Sequence, residues 1–156
     1  MPVVRYTTQV DPGVSVPAHR FADEVAIYLA DPGGWASLGY TFVVGRGGKH
    51  IRLSTPQSIK QEGCKDDALS CAILGGDAIW LNAERWLHGA PRSQLPLAAY
   101  RQYMVTHEMG HALGYDHAAC PGPGQPAPLM LQQTVGLQGC TPNTRLTATD
   151  RQSKQR

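Results

Sequence analysis

The stretch VTHEMGHALGYDH (105–117) holds three of the chain's six histidines, one glutamate and two glycines. His107 and His111 are four residues apart, so on a helix they are offset by only about 40° and both imidazoles reach one point beside it. That suits two ligands of one metal ion. Glu108 is rotated about 100° from His107, which takes it off the shared axis but lets it lean over a water held at that point, as a general base would. A tetrahedral zinc needs a further ligand, and a straight helix offers no third histidine on the same side. Gly114 offers a reversal: glycine adopts the left-handed conformation that ends helices, so the chain can fold back after Leu113 and bring His117 to the third position.

Three neutral nitrogens leave one coordination position open, which marks a catalytic rather than a closed structural site. One catalytic Zn2+ is the expected cofactor. It would lower the pKa of a bound water to about 7 and polarise a carbonyl, with Glu108 accepting the proton and handing it to a leaving amine. The pattern H-E-x-x-H-x-x-G-x-x-H specifies five residues over eleven positions, far more than the bare H-E-x-x-H.

The elements that must position these residues are legible in outline. VVRYTTQV (3–10) is rich in β-branched residues and ends at Asp11-Pro12-Gly13, so it reads as a strand. From Ser15, Phe21, Val25, Tyr28 and Leu29 recur at helical spacing, with Ser15 as the cap, Pro17 in the first turn and Asp31-Pro32-Gly33-Gly34 as the stop. YTFVVG (40–45) and KHIRLS (49–54), joined by a Gly-rich turn, suggest a β-hairpin. Residues 55–76 show little periodicity and read as a long loop lining a site. DAIWLN (77–82) is a further strand, and a second helix runs from about Leu97 to Gly114 with Tyr100, Met104, His107 and His111 along one stripe. Beyond it the chain is too rich in Pro and Gly for a helix, LTATDRQ is short for one, and the polar residues 151–156 read as a frayed or disordered tail.

Four cysteines, Cys64, Cys71, Cys120 and Cys140, lie in Gly/Pro/Asp-rich segments and favour disulfides and an oxidising compartment over free cytosolic thiols. Three connectivities are possible. The sequential one, Cys64 with Cys71 and Cys120 with Cys140, is preferred because each bridge closes a loop without regular structure, and the second would contribute roughly 3 kcal/mol on the chain-entropy model. Cys120 has a competing reading, since H-x-x-C from His117 could complete a closed zinc site.

The histidine pattern resembles the signature of the metzincin zinc peptidases, in which the long motif precedes a methionine-containing turn under the metal. His107, His111 and His117 match its ligands, Glu108 its base, Gly114 its helix-ending glycine, and Met130 in PAPLMLQQT the Met-turn residue. Together with DAIWLNAERWLHG upstream, residues 77–143 look like a family of secreted bacterial metzincin-like domains, with snapalysin a more distant relative that uses aspartate as its third ligand. The resemblance implies an α+β zincin: a small mixed β-sheet, a backing helix, an active-site helix and an irregular C-terminal subdomain with a Met-turn. No tyrosine follows Met130 at the spacing where some metzincins place an oxyanion stabiliser. Tyr115 is within sequence reach for an oxyanion or cleft role, with packing as its ordinary alternative.

Composition narrows the partners. At 156 residues and 42% hydrophobic, the chain suits one domain, with 1–114 as an N-terminal and 115–150 as a C-terminal subdomain. A net charge of +2 without long charge runs argues against nucleic acid, and the sequence contains no membrane-spanning stretch. No leader is recognisable in this chain, so a secreted protein is expected to have lost it earlier. The expectation is a monomeric, secreted zinc endopeptidase acting on peptides or proteins; the alternative is a secreted binding module whose zinc is structural or catalytically idle. His19, His50 and His88 stand alone and receive no role, Trp80 and Trp86 read as core and cleft-wall residues rather than a substrate platform, and Asp66-Asp67 as solvated rather than calcium-binding.

Overall fold

The computed structural model describes residues 2–64 and 66–155. It is an α+β structure, with a five-stranded mixed sheet and five α-helices among the described residues. Strand β1 (Val3–Val10) forms where β-branched residues cluster, and helix α1 (Ala18–Ala30) packs Phe21, Val25 and Leu29, one stripe at i, i+4 and i+8, into the core. The helix does not start at Ser15 as its composition suggests. Val16 precedes a proline, which disfavours helical backbone at that position, so Pro17 becomes the N-cap without any side-chain cap. At the other end Asp31, which also precedes a proline, turns extended and stops the helix.

Strands β2 (Thr41–Val44) and β3 (Lys49–Ser54) do not form the expected hairpin. Both run parallel to β1, on opposite edges of it: Tyr6 is in register with Val44 on one side and with Lys49 on the other. Residues 45–48 must therefore cross the backbone of β1. They do so where a Cβ on Gly48 would collide with the Arg5 carbonyl group, its carbon only 2.8 Å away, so the crossing requires glycine. A Gly-rich link between two strand patterns is a hairpin signal only if the strands find each other, and here β1 offers ladder partners on both edges.

The sheet order is β2-β1-β3-β5-β4, with β5 (Ala78–Asn82) parallel to β3 and the edge strand β4 (Cys71–Ala72) antiparallel to β5. Residues 55–76 are thus less loop-like than expected. They include helix α2 (Pro56–Gln61), started by a Thr55 hydroxyl that accepts from Ser58 N and by proline in the first turn, as well as β4. Asn82 caps α3 (Ala83–His88) by accepting from the amides of Glu84 and Arg85.

Helix α4 (Leu97–Ala112) crosses the middle of the molecule and is buried on nearly every side from Tyr103 to Ala112. Trp35 donates its indole N–H to the Thr106 carbonyl at 2.7 Å, and Phe21 meets Trp86 edge-on at 5.0 Å. The carbonyls left free at the end of α4 receive cations: Lys49 of β3 reaches Ala112 O at 2.9 Å, and Lys154 reaches Leu113 O at 2.9 Å. The irregular chain after Gly114 closes with α5 (Ala148–Gln152), which a capping box of Thr147 and Asp150 initiates. The tail is not frayed over residues 151–155. Asp116 N bonds to Ser153 O at 2.8 Å and Gln155 N to Gly114 O at 2.7 Å, tying the end of the chain to the reversal after α4. Arg156, the remainder of that expectation, lies outside the described residues.

The ends of β1 and β3 are joined by Asp11, 4% exposed, whose carboxylate accepts from Arg52, Ser54 and Gln9. Burial pushes this carboxyl up, but the bonds and charge of Arg52, with Ser54 and Gln9, outweigh it and hold the group below its usual range. Asp11→Asn should lower stability at pH 7 by about 2–4 kcal/mol, because it takes from Arg52 its buried partner and leaves only the 3.8 Å contact with Glu62. A folded-state pKa below the unfolded one stabilises above the unfolded value and is lost as pH falls through the folded one, so the gap between variant and parent in urea titrations should narrow below about pH 4. Gly48→Ala should be destabilising by at least about 2 kcal/mol in the same assay, through the collision with β1.

Candidate metal centre

His107 and His111 project from one face of α4, their ring centroids 4.8 Å apart. Each has its Nδ1 turned to a main-chain carbonyl: His107 to Leu129 O at 2.6 Å, and His111 to Tyr115 O at 2.8 Å. A carbonyl only accepts, so each Nδ1 carries the proton and each Nε2 keeps a lone pair. Burial, reinforced by the neighbouring imidazoles, pushes His107 well below the usual histidine range and lowers His111. Both are therefore neutral, the form that binds metals.

The third imidazole arrives by a complete Schellman reversal. Gly114 has φ +100°, its N–H bonds to His111 O at 2.9 Å, and Tyr115 N–H bonds to Gly110 O at 2.9 Å. Asp116 then accepts from the His117 amide at 2.7 Å, and His117 Nε2 comes to 3.2 Å from His111 Nε2. One ligand nitrogen from each of the three histidines lies within 4.8 Å of the others, so the cluster could hold a metal ion. The 3.2 Å pair is already near the roughly 3.4 Å that separates two nitrogens on a tetrahedral zinc. His107 and His111 are buried, while His117 is exposed at the mouth.

Two buried atoms at this spot have no hydrogen-bond partner: His107 Nε2 and Glu108 Oε2. Orphaned polar atoms in an interior are rare, and a cation beside them would satisfy the nitrogen. The Glu108 carboxyl, with Oε1 4.0 Å from His107 Nε2, is pushed up to about 8 by burial. Glu108, His111 and His117 open into one cleft of about 230 Å³, which Ser70, Gln132 and the Cys64–Cys71 bridge also line.

Met130 sits beneath the helix. Leu129 and Met130 occupy the centre of a tight turn closed by Leu131 N to Pro128 O at 3.1 Å, and the Met130 side chain is wholly buried. A Cβ on Gly110 would lie 2.5 Å from Met130 Sδ and 2.5 Å from the Trp35 ring, so the absence of a side chain at position 110 is what admits this turn. The turn is held from below by Asp150, whose carboxylate accepts from Leu129 N at 2.9 Å, Met130 N at 2.8 Å and Thr147 N at 2.9 Å. Tyr103, one helical turn before His107, donates to Leu131 O at 2.8 Å and accepts from Gln133 N at 2.8 Å.

The four residues of the histidine motif thus come together as expected, with Met130 under them. Both disulfides have the sequential pairing, Cys64–Cys71 and Cys120–Cys140. The bridge removes Cys120 from contention as a metal ligand. Tyr115 does not serve the cleft with its side chain. Its ring packs against Trp35, centroids 4.4 Å apart and planes tilted by 34°, with the Lys154 ammonium 4.8 Å from its own centroid, because the Schellman reversal turns it inward; only its carbonyl serves the site, through His111. Trp86 is core, as expected, and Trp80 packs with Ile59 and Cys64. Gly110, Tyr103, Gln132 and Asp150 were not singled out by sequence reasoning. Asp150 alone carried a readable signal, the Thr-x-x-Asp start of a helix.

Asp150→Ala would strip three main-chain N–H groups of their acceptor in the interior. It should cost about 3–5 kcal/mol in urea unfolding and weaken metal binding by loosening the turn that orients His107.

Comparison with curated proteins finds no match. Residues 2–153 match the family described as "Protein of unknown function (DUF3152)". That match spans nearly the whole chain, from the first residues of β1 to the end of α5, and the protein belongs to the DUF3152 family.

Proposed function

We propose that this protein is a zinc-dependent peptidase of the metzincin type, an endopeptidase whose cleft receives a peptide bond. The observation that carries the reading is the juxtaposition of a buried, unpartnered Glu108 carboxylate oxygen with three convergent imidazoles at the floor of an open cleft. His107, His111 and His117 would hold the ion, two of them neutral and oriented through Leu129 and Tyr115. Three nitrogen ligands and no cysteine or carboxylate in the set fit zinc with a position left open. When bound, zinc supplies Lewis-acid polarisation of the substrate carbonyl and raises the acidity of water.

The chain's own part is the proton traffic and the setting. Glu108 accepts a proton from the water that adds to the scissile carbonyl and returns it to the departing nitrogen. Its burial favours the first step, since a carboxylate stripped of solvent is a stronger base than one in water. The Met130 turn supports the metzincin assignment: it presses on α4 at Gly110, and its Leu129 carbonyl fixes His107. The two disulfides suit a secreted protein, as structural bridges persist in oxidising compartments. None of the helices is long and apolar enough to cross a membrane among the described residues.

Glu108→Gln should reduce hydrolysis of an unstructured protein substrate by about 10²–10⁴-fold while the bound zinc stays at one per chain, measured by elemental analysis. Unchanged hydrolysis in the zinc-loaded variant sinks the proposal. Removal of the metal with a chelator should abolish hydrolysis and leave the far-ultraviolet circular dichroism intact, since two disulfides and a continuous core hold the fold; unfolding on chelation would instead make the metal structural.

A further inference from the structure

Addition of water to a peptide carbonyl breaks its π bond, and the electron pair moves onto the carbonyl oxygen. Peptidases stabilise that oxyanion with a placed hydrogen-bond donor, and the obvious candidate from the sequence, the Tyr115 hydroxyl, faces the core. We propose that the side-chain amide of Gln132 is this donor. The inference rests on the peptidase reading given above and adds to it a catalytic residue.

Among the described residues, the polar side chains that share the cleft with Glu108, His111 and His117 and lie outside the histidine motif are Asp66, Ser70 and Gln132. Asp66 is acceptor-only when ionised and is turned to the Ala68 amide at 2.9 Å. Ser70 accepts from the Asn82 amide at 2.9 Å, which brings its oxygen toward β5, and it has a single O–H to give. Gln132 differs from both. Its carbonyl oxygen Oε1 faces the Tyr103 hydroxyl at 3.3 Å, and among the described residues its NH₂ group has no acceptor. A carboxamide nitrogen carries two N–H bonds, so even if the amide were turned over, one would remain free.

The donor is also well anchored. Tyr103 is fully buried on α4, one turn from His107, and its hydroxyl is fixed by Leu131 O and Gln133 N, the two neighbours of Gln132. Its oxygen lies 3.2 Å from His107 Nδ1. Tyr103 is therefore a positioning residue, registering the segment that bears Gln132 against the helix that bears His107 and Glu108. Gln132 follows Met130 by two residues, so the turn that seats His107 also delivers the amide to the cleft. When the tetrahedral species collapses, the pair on oxygen re-forms the carbonyl, the carbon–nitrogen bond breaks, and the proton held by Glu108 goes to nitrogen. The Gln132 N–H bonds strengthen as the charge grows and weaken as it leaves, so they lower the barrier rather than merely holding substrate.

The test uses the full chain loaded with zinc, a peptide pool to find one well-cleaved sequence, and the variants Gln132→Ala and Gln132→Glu. The second keeps the shape and the acceptor toward Tyr103 but replaces both N–H bonds with oxygen. Each variant should lose about 10²–10³-fold in kcat with KM within about threefold, and a phosphinic peptide built on the cleaved sequence should bind about 10²-fold more weakly to Gln132→Ala. Zinc affinity, read by competition with a chromogenic chelator, should stay within about threefold of the parent. A Gln132→Ala enzyme with parental kcat overturns the proposal, as does a loss of activity matched by loss of zinc affinity in both variants, which would make Gln132 structural. If the unsubstituted protein hydrolyses nothing, the peptidase reading itself fails and takes this inference with it; the two failures are told apart by the parent's activity.

Discussion

Two backbone carbonyls, those of Leu129 and Tyr115, decide which nitrogen of His107 and of His111 faces the cleft, and the rest of the site depends on that choice. A buried imidazole without such an acceptor would be free to present either nitrogen or to rotate. Neither carbonyl belongs to the regular part of helix α4. One comes from the turn that carries Met130 and the other from the reversal after Gly114, so the cleft-facing side of the helix is set by chain that arrives later in the sequence. That chain is in turn held by Asp150 at the start of α5 and by the bonds of residues 153–155 to the reversal. The centre is therefore clamped between α4 and everything after it, and the Cys120–Cys140 bridge closes the segment in between.

The clamp requires close approach, and Gly110 provides it. A glycine in the middle of a helix lowers local stability by up to about 1 kcal/mol relative to alanine. Here that is offset by the burial of Met130 and Trp35 in the space a side chain would have filled. The same region tolerates a second departure from ordinary interior chemistry, a carboxylate and an imidazole nitrogen buried without partners. Such groups persist only where surrounding structure leaves them no alternative, and α4 is packed on nearly every side. Local irregularities thus concentrate where a metal and a reacting group would sit, whereas the surrounding core of Phe21, Trp35, Trp86 and Tyr100 is conventional.

On the cleft side, the sheet supplies the frame. Lys49 of β3 reaches the last carbonyls of α4, so the strand produced by the crossing of residues 45–48 over β1 also pins the helix end. The Cys64–Cys71 bridge and the short edge strand β4 bring Cys64 and residues 66–72 to the mouth of the site, where Ser70 braces β5. Fold and site are coupled by side chains that reach the main chain of other segments.

The histidine motif, the stop at Gly114, the general course of α1 and α4, and the two disulfide pairings were all legible in the residues, because each rests on a local rule: helical spacing, the conformational freedom of glycine, or a short loop between cysteines. The β-hairpin, the start of α1 at Ser15, the plain loop over residues 55–76 and the loose tail were misjudged for the same underlying reason. Strand pairing, the folding of 151–155 onto the helix end and the inward turn of Tyr115 depend on partners remote in sequence, which local pattern does not specify. By itself the sequence determined which residues could bind a metal and move a proton; only the tertiary structure decided which nitrogen each histidine offers, that Tyr115 contributes a carbonyl instead of a hydroxyl, and that Gln132 faces the cleft, since these are consequences of where the chain after Gly114 packs.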